Sequence, residues 1–325
     1  MKEAKHYIKI KKEHVQCKLC PHECIISPQN VGICRVRKNI EGVLYSTNYG
    51  KTMSLSIDPI EKKPLFHFYP GEQIISIGPN ACNLSCKFCQ NYRSSQQKVP
   101  TTAVTSGKIL ELCKNHLSKF VAFTYTEPTT WFEFVLDTAK LLHENGIKTV
   151  MVTNGYINQK PLEELLPYID AMNIDLKSMQ NDFYKNICNA TLKPVLDTIR
   201  TAAKKCHIEI TNLLVTEHND SDEQIQKVTD YIAQVNKDIP VHFSRYFPMY
   251  KMDDPPTPIQ RLNKAKQIAE QKLSYVYLGN IHTKKDTNCP KCGFKLIKRG
   301  FTSSIDLTGN QCPQCGHEIY GKFTS

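Results

Sequence analysis

The sequence lacks any apolar run long enough to cross a membrane, and it lacks low-complexity tracts and true internal repeats. Its first six residues are rich in charge and contain no apolar signal-peptide core. We therefore expect the protein to be made and kept in the cytosol, without a membrane partner. Its 325 residues are enough for one large α/β domain with small appendages and a sizeable core.

The formal net charge is +11, because 42 lysines and arginines outnumber 31 acidic residues. Such a balance favours polyanionic partners such as RNA, and it also suits an acidic protein. The lysines are spread along the chain rather than grouped in blocks, so a solvated basic surface explains them more simply. Charge alone therefore selects no function.

Fourteen cysteines in a cytosolic protein indicate metal sites rather than disulfides, because that compartment is reducing. Eleven of them fall into three clusters: Cys17, Cys20, Cys24 and Cys34; Cys82, Cys86 and Cys89; and Cys289, Cys292, Cys312 and Cys315. We expect the other three, Cys113, Cys188 and Cys206, to be ordinary buried thiols.

The central cluster has the spacing C-x3-C-x2-C. Three thiolates can hold a [4Fe–4S] cluster at three corners and leave the fourth iron open to a small chelating molecule. A structural zinc site needs four ligands, and no fourth cysteine or histidine lies nearby in the sequence. The spacing therefore predicts an iron–sulfur cluster with one open iron.

The two outer clusters indicate further metals. In the tail, two C-x2-C pairs stand 19 residues apart, each followed by glycine, which is typical of a structural zinc ribbon. The N-terminal set, C-x2-C-x3-C-x9-C, suits either zinc or a second iron–sulfur cluster. The spacing leaves both open, and we favour zinc slightly.

Short β-branched apolar runs alternate with amphipathic helical stretches from about residue 73 onward. This alternation predicts parallel strands with helical crossovers, which close as a full or partial (β/α) barrel. The strands are expected at 74–77, 120–124, 149–153, 171–174, 208–215, 241–243 and 275–278, and helices at 130–144, 221–235 and from about 259. We divide the chain into a cysteine-rich region (1–70), the barrel (71–282) and the ribbon tail (283–325).

Polar motifs follow the first four predicted strands. The cysteine triad follows the first, Thr124–Pro128 the second, Thr153–Gly155 the third and Asp175–Lys177 the fourth. Because chemistry in such folds gathers at the carboxyl ends of parallel strands, these motifs predict one active-site mouth.

The triad, with Phe88 before its last cysteine and Gln90-Asn91 after it, closely resembles that of the radical S-adenosylmethionine (SAM) enzymes. More of the chain resembles the radical SAM member of the AmmeMemoRadiSam group, related to pyruvate formate-lyase activating enzyme. The matching segments are 17–39, 58–65, 82–91, 125–128, 175–177, 242–248, 279–280 and the tail. The resemblance implies a partial barrel, a [4Fe–4S] cluster, SAM, and AMMECR1-like and Memo-like proteins as partners.

The resemblance also implies roles for particular residues. The triad would ligate the cluster, while Thr126 and Glu127 would meet the SAM amino group, although threonine replaces glycine in this motif. Arg245 would contact the SAM carboxylate or an anionic substrate. The remaining positions expected near SAM are Thr153, Asn154, Asp175 and Lys177. The simpler alternatives are a helix-terminal carboxylate for Glu127 and a surface ion pair for Asp175 with Lys177.

The expected reaction is reductive cleavage of SAM to a 5′-deoxyadenosyl radical, which abstracts hydrogen from an unidentified substrate. A low-potential cluster would require an electron donor such as ferredoxin or flavodoxin. Three alternatives remain open: an activase of a glycyl-radical protein, an RNA-modifying enzyme acting with the partner proteins, and a non-catalytic metal-binding scaffold. No residue is assigned as a catalytic acid, base or hydrogen donor.

Overall fold

The computed structural model describes residues 1–283, 285–300 and 303–323. The N-terminal region is made of short strands that pair antiparallel in small sheets, β2–β3–β4 and β1–β6–β5. Its strands are β1 Lys2–Glu3, β2 Tyr7–Lys9, β3 Val15–Cys17, β4 Ile25–Ile26, β5 Arg37–Ile40, β6 Val43–Ser46, β7 Lys51–Thr52 and β8 Ser54–Pro59.

One large sheet forms the centre of the molecule, in the order β16–β15–β14–β13–β12–β11–β9–β8. Its strands from β9 to β16 run parallel, and β8 is antiparallel at one edge. The further strands are β9 Gln73–Gly78, β10 Thr102–Ala103 (paired with β7), β11 Phe120–Phe123, β12 Lys148–Thr153, β13 Ala171–Asp175, β14 His207–Leu214, β15 Val241–Arg245 and β16 Val276–Gly279. The predicted α/β fold with a parallel sheet is confirmed, and all seven predicted strands are present to within two residues.

Strand β11 is apolar along its whole length because both faces of the sheet are covered at this position. All four residues of β11 are buried. In the sheet Val121 is paired with Ile75 on one side and with Thr149 on the other. Strand β8 belongs to the same sheet, although the sequence division assigned it to the N-terminal region.

Helices cover the sheet between successive strands. They are α1 Tyr92–Gln96, α2 Ser106–Asn115, α3 Phe132–Glu144, α4 Gln159–Leu165, α5 Asn181–Phe183, α6 Leu192–Ala202, α7 Asp222–Asn236 and α8 Ile259–Ala269, with 3₁₀ turns at Ile60–Lys62, Pro128–Trp131 and Leu166–Tyr168 and a π-turn at Tyr184–Cys188. Helix α7 begins as predicted, because the Ser221 side chain accepts a hydrogen bond from the backbone N–H of Gln224. Among the described residues, no helix has the length and apolar character needed to span a bilayer.

A buried carboxylate organises the amino end of the barrel, which we call the floor. Glu209 Oε1 accepts from the backbone N–H groups of Phe66 and His67, each at 2.7 Å. The ring of His207 contacts Oε1 at 3.1 Å and that of His242 contacts Oε2 at 2.7 Å. His242 is therefore a packed histidine.

The tail folds back onto this floor. Its antiparallel strands are β17 Thr287–Asn288, β18 Lys295–Arg299 and β19 Ser303–Ile305. His67 Nδ1 lies 2.7 Å from the Tyr320 carbonyl oxygen, and the His67 carbonyl accepts from the Lys322 N–H at 2.8 Å. The His67 ring also contacts the Tyr277 hydroxyl at 2.7 Å, so this histidine joins the barrel to the tail.

We expect His67 to make the fold acid-sensitive. Burial lowers the pKa of His67 from 6.5 to about 3, so the folded state keeps this ring neutral while the unfolded state takes up a proton below pH 6.5. The stability it contributes is complete above its unfolded pKa and is lost as the pH falls. Between about pH 7 and pH 5 the loss should reach about 2 kcal/mol.

Denaturant unfolding at the two pH values checks this, with His67→Gln as the matched control. The free energy of unfolding of the variant should fall less over this range than that of the unaltered protein. An equal fall in both proteins would contradict the assignment to His67.

Candidate active site

The carboxyl ends of the parallel strands surround one open cavity of about 600 Å³. The structure brings all four strand-end motifs to it. The predicted site residues that line it are Cys82, Cys86, Cys89, Thr126, Thr153, Asn154, Asp175 and Lys177. A wider groove of about 1070 Å³ lies near the floor, between α4, α6 and the tail, but none of the predicted site residues lines it.

The cysteine loop after β9 is held by contacts to its sulfurs and its backbone. The Leu84 N–H donates to Cys82 Sγ at 3.3 Å, and Asn154 Nδ2 approaches the same sulfur at 3.6 Å. Cys89 Sγ lies 3.3 Å from the Ser95 hydroxyl. No three described cysteine sulfurs of this loop lie within 4.8 Å of one another. This spacing is too wide for one tetrahedral zinc ion and fits the separate corners of a cluster.

Cys86 lies in a charged and sulfur-rich corner of the cavity. A hydrogen bond from the thiol of Cys188 lowers the pKa of Cys86 against the effect of burial, and the Lys177 ammonium lowers it further. Cys188 is fully buried, as expected, yet it is more than a packing residue because it contacts the cysteine loop. The Ser85 N–H also donates to the Cys188 carbonyl at 3.1 Å. The π-turn that ends at Cys188 thus positions the loop.

Glu127 is completely buried and does not line the cavity. Its Oε1 accepts from the Thr129 N–H at 2.9 Å and from the Thr153 hydroxyl at 2.7 Å, and its Oε2 accepts from the Asn154 N–H at 2.8 Å. Burial raises the pKa of Glu127, while these donors oppose the rise. In this structure the carboxylate therefore joins the loops after β11 and β12 and orients two residues that do face the cavity.

Asp175 and Lys177 both face the cavity, on either side of the buried Leu176. They form the ion pair that the sequence offered as the simpler explanation, with Lys177 Nζ 2.9 Å from Asp175 Oδ2. Lys177 Nζ also lies 5.7 Å from the centre of the Phe88 ring, next to the last cysteine of the triad. The pair is thus part of the wall beside the sulfurs.

Arg245 does not line the cavity. Its Nε donates to the Thr257 carbonyl at 2.8 Å, and its guanidinium lies over the Phe247 ring at 4.9 Å. Its own carbonyl accepts from Asn280 Nδ2 at 3.0 Å. Asn280 and the neighbouring Ser244 are the residues that face the cavity at this position.

Sequence reasoning missed a second polar wall formed by Asp58, Lys63 and Tyr125. The Tyr125 hydroxyl donates to Asp58 Oδ2 at 3.1 Å, and Lys63 Nζ lies 2.8 Å from the same oxygen. Burial would raise the pKa of Asp58, but the hydrogen bond from Lys63 lowers it below its usual range. Tyr125 has a φ of +71°, a conformation that favours glycine, so the tyrosine gives no sequence signal of its position.

The outer cysteine sets differ in their spacing. In the tail, Cys289 Sγ lies 3.6 Å from Cys315 Sγ, and Cys292 Sγ lies 3.6 Å from Cys312 Sγ. All four sulfurs are within 4.8 Å of one another, which could hold one metal ion. The N-terminal four, Cys17, Cys20, Cys24 and Cys34, instead line a small enclosed cavity next to Asn83.

A family model described as the radical SAM superfamily matches residues 76–232. The chain is also 43% identical over 332 residues to "Uncharacterized protein MJ0808" of Methanocaldococcus jannaschii, covering 98% of this chain and 99% of that protein. The chain belongs to the radical SAM superfamily. It is therefore an enzyme of that class.

Other similarities extend this assignment. This radical SAM protein is 27% identical over 161 residues to the pyruvate formate-lyase-activating enzyme of Clostridium pasteurianum, covering 47% of this chain and 67% of that enzyme. Its fold is similar to that of Streptococcus suis SuiB, whose structure is described as bound to S-adenosylmethionine. The TM-score is 0.51 at 18% identity, and the match covers 69% of this chain and 53% of SuiB.

Membership of the superfamily implies a [4Fe–4S] cluster and SAM, and the cavity fits both. It offers three thiols that are not gathered within 4.8 Å of one another, with acidic, basic and amide side chains around them. An amino acid nucleotide carries an ammonium, a carboxylate and hydroxyl groups, which need such polar partners when they leave water.

We expect Glu127→Gln to destabilise the protein by about 1–3 kcal/mol, because the new NH₂ group must face at least one donor that now pairs with an oxygen. Glu163→Gln is the matched control, since Glu163 is exposed on α4. Denaturant unfolding of both variants gives the comparison. If Glu127→Gln unfolds like the control, the three hydrogen bonds do not hold the mouth together.

Proposed function

We propose that this enzyme binds a [4Fe–4S] cluster at Cys82, Cys86 and Cys89, cleaves SAM reductively and abstracts hydrogen from a substrate held in the same cavity. The observation that carries the proposal is the meeting of the wide cysteine triad with the strand-end polar groups around one cavity of about 600 Å³. When bound there, a reduced cluster supplies the electron that splits SAM into methionine and a 5′-deoxyadenosyl radical.

The chain's own residues bind and orient the reactants in this proposal. Thr153 and Asn154 are fixed by Glu127 and present their side chains to SAM, while Asn154 also steadies Cys82. Asp175 suits the SAM ammonium and Lys177 suits its carboxylate, because each supplies the opposite charge on the wall beside the sulfurs. Thr126 lies at the same mouth, although its hydroxyl already donates to the Pro79 carbonyl at 2.6 Å.

Glu127 and Arg245 receive positioning roles instead of direct contacts. Glu127 would hold Thr153 and Asn154, and Arg245 would hold Asn280 through its carbonyl. Asp58, Lys63 and Tyr125 form the wall that we assign to the substrate, because Asp58 and Lys63 line the cavity outside the strand-end motifs and both Lys63 and the Tyr125 hydroxyl contact Asp58. A charged wall of this kind favours a polar substrate group.

Anaerobic incubation with SAM and dithionite tests the proposal. The reconstituted protein should release 5′-deoxyadenosine, and Cys86→Ala should reduce the release to background because one corner of the cluster loses its ligand. Cys113→Ala, a buried cysteine in α2 outside all three sets, should retain the activity. Release by Cys86→Ala at the level of the control, or no release by fully clustered protein, would refute the proposal.

A second candidate is activation of a glycyl-radical protein, which is one form of the same chemistry. It is supported by the relatives named as activating enzymes, among them a 4-hydroxyphenylacetate decarboxylase activating enzyme of Clostridium scatologenes, 25% identical over 115 residues. The loop after β15 lies beside the cysteine loop, where Tyr250 stacks on Tyr92 at 4.8 Å, and it exposes Phe247 and Met249. Exposed apolar side chains beside the cysteine loop suit a protein substrate.

The activase candidate predicts a glycyl radical on another protein. Anaerobic cells that produce this chain should show a glycyl doublet by electron paramagnetic resonance, and the doublet should vanish with Cys86→Ala. If cells that produce the unaltered chain show no doublet while the purified protein still cleaves SAM, the activase candidate is ruled out and the proposed SAM cleavage is not affected.

Other parts of the sequence interpretation stay proposals. We retain the AmmeMemoRadiSam group with its AMMECR1-like and Memo-like partners, a ferredoxin or flavodoxin donor, and the cytosol as the compartment. We propose structural zinc in the tail because sulfurs 3.6 Å apart match a tetrahedral ion. RNA modification is supported by the net charge and by the ribbon, and it ranks below the activase. The scaffold alternative is set aside because the chain belongs to an enzyme superfamily.

A further inference from the structure

The N-terminal cysteines form a closed site of their own. Cys17, Cys20, Cys24 and Cys34 line one enclosed cavity although the last of them lies ten residues beyond the third. Cys17 is on β3, and the antiparallel β3–β4 pair encloses the turn that carries Cys20 and Cys24. Four thiols directed at one interior space are a metal-binding donor set.

The spacing of these sulfurs bears on the choice between the two metals that the sequence left open. Four thiolates on one zinc ion, at Zn–S of about 2.3 Å, must lie about 3.8 Å apart. The tail sulfurs meet this at 3.6 Å, whereas no three of the N-terminal sulfurs lie within 4.8 Å of one another. In this respect the N-terminal set is like the Cys82–Cys89 triad. Thiolates on separate irons of a cube stand farther apart than thiolates on one ion.

Unused hydrogen-bond donors line the same cavity. Arg37 is 1% exposed and pairs with Glu133 through Nη1, but its Nε and Nη2 have no hydrogen-bond partner within the described part of the chain. The buried hydroxyl of Thr129, also on the cavity wall, likewise lacks a partner among those residues. Buried donors are normally paired, and the sulfides of a cluster accept such bonds.

We propose that Cys17, Cys20, Cys24 and Cys34 hold a second [4Fe–4S] cluster, with Arg37 and Thr129 as donors to its sulfurs. Two observations support this assignment together: no three of these sulfurs lie as close as one zinc ion requires, and buried donors on the cavity wall are unpaired. It reverses the slight preference for zinc that the sequence alone suggested. The metal assignment stands whether or not the triad cleaves SAM.

In this proposal a single residue, Asn83, connects the surroundings of the two clusters. Cys20 and Asn83 line the same cavity, and His22 Nε2 contacts the Asn83 carbonyl at 2.8 Å. Asn83 directly precedes Leu84 in the triad loop, follows Cys82, and its Oδ1 accepts from Asn154 at 2.9 Å. We infer a relay: a low-potential donor protein loses one electron to the second cluster, which passes it to the first. This role rests on the proposed SAM cleavage.

Metal analysis of anaerobically reconstituted full-length protein tests the assignment. The unaltered protein should contain about eight iron and eight sulfide per chain, and Cys82→Ala/Cys86→Ala/Cys89→Ala should retain about four of each. That variant leaves the N-terminal set intact. Its reduced form should show a cluster signal by electron paramagnetic resonance that SAM does not alter. Iron near zero in this variant, or about four iron with about two zinc per chain in the unaltered protein (one more than the tail site holds), would overturn the second cluster.

Cys20→Ser/Cys34→Ser provides the reciprocal test, with Cys206→Ser as control. The double variant should keep about four iron per chain and an electron paramagnetic resonance signal that SAM alters. A SAM-insensitive signal here, with iron retained by the triad variant, would overturn the proposed SAM cleavage and leave the second cluster standing.

The relay has its own readout. In the same double variant, SAM cleavage driven by reduced flavodoxin should fall at least about tenfold relative to cleavage driven by dithionite, which reaches clusters without docking. An equal fall with both reductants would mean that the second cluster supports structure only, and it would refute the relay.

Discussion

The carboxylate of Glu127 determines how the segments at the cavity meet. A buried charge is costly unless hydrogen bonds replace its hydration, and here the Thr129, Thr153 and Asn154 donors do so. The loops after β11 and β12 cannot separate without leaving these groups unpaired in a dry interior. Because Asn154 also contacts Cys82, the same restraint reaches the cysteine loop. Radical chemistry benefits from such fixed walls, since they limit side reactions with water.

Sulfur spacing carries information that cysteine order does not. The tail and the N-terminal region each supply four cysteines, yet only the tail brings its sulfurs within 4.8 Å of one another. A tight tetrahedron closes around one ion and leaves no room for substrate or for a cube of iron and sulfide. The cluster proposed for the N-terminal set is larger than one ion, and the unpaired buried donors of Arg37 would face its sulfurs. Cysteine side chains can thus form either a one-ion site or a cluster site, depending on how their sulfurs are spaced.

Hydrophobic patterning was enough to predict the sheet, because runs such as 120–123 are apolar throughout and have polar motifs at their ends. The side chains around the mouth were less predictable. Asp58 reaches the cavity because β8 pairs antiparallel with the sheet, a long-range pairing that the sequence does not indicate. Tyr125 has a positive φ, but because it is not a glycine its residue type does not predict that conformation. Arg245 illustrates strand geometry: successive residues point to opposite faces, so Ser244 faces the cavity and Arg245 does not.

The junction between floor and tail has a consequence for how the molecule is assembled. His67 and the Tyr320 carbonyl are 253 positions apart in sequence, and Phe68 forms a β-bridge with Lys322. Contacts over such separations form slowly, because the chain between them must first be ordered. With the metal that we propose for the tail, the underside of the barrel should therefore be completed only after the ribbon has folded around that ion. Scarcity of that metal during synthesis would leave newly made enzyme unfinished at the end opposite to its chemistry.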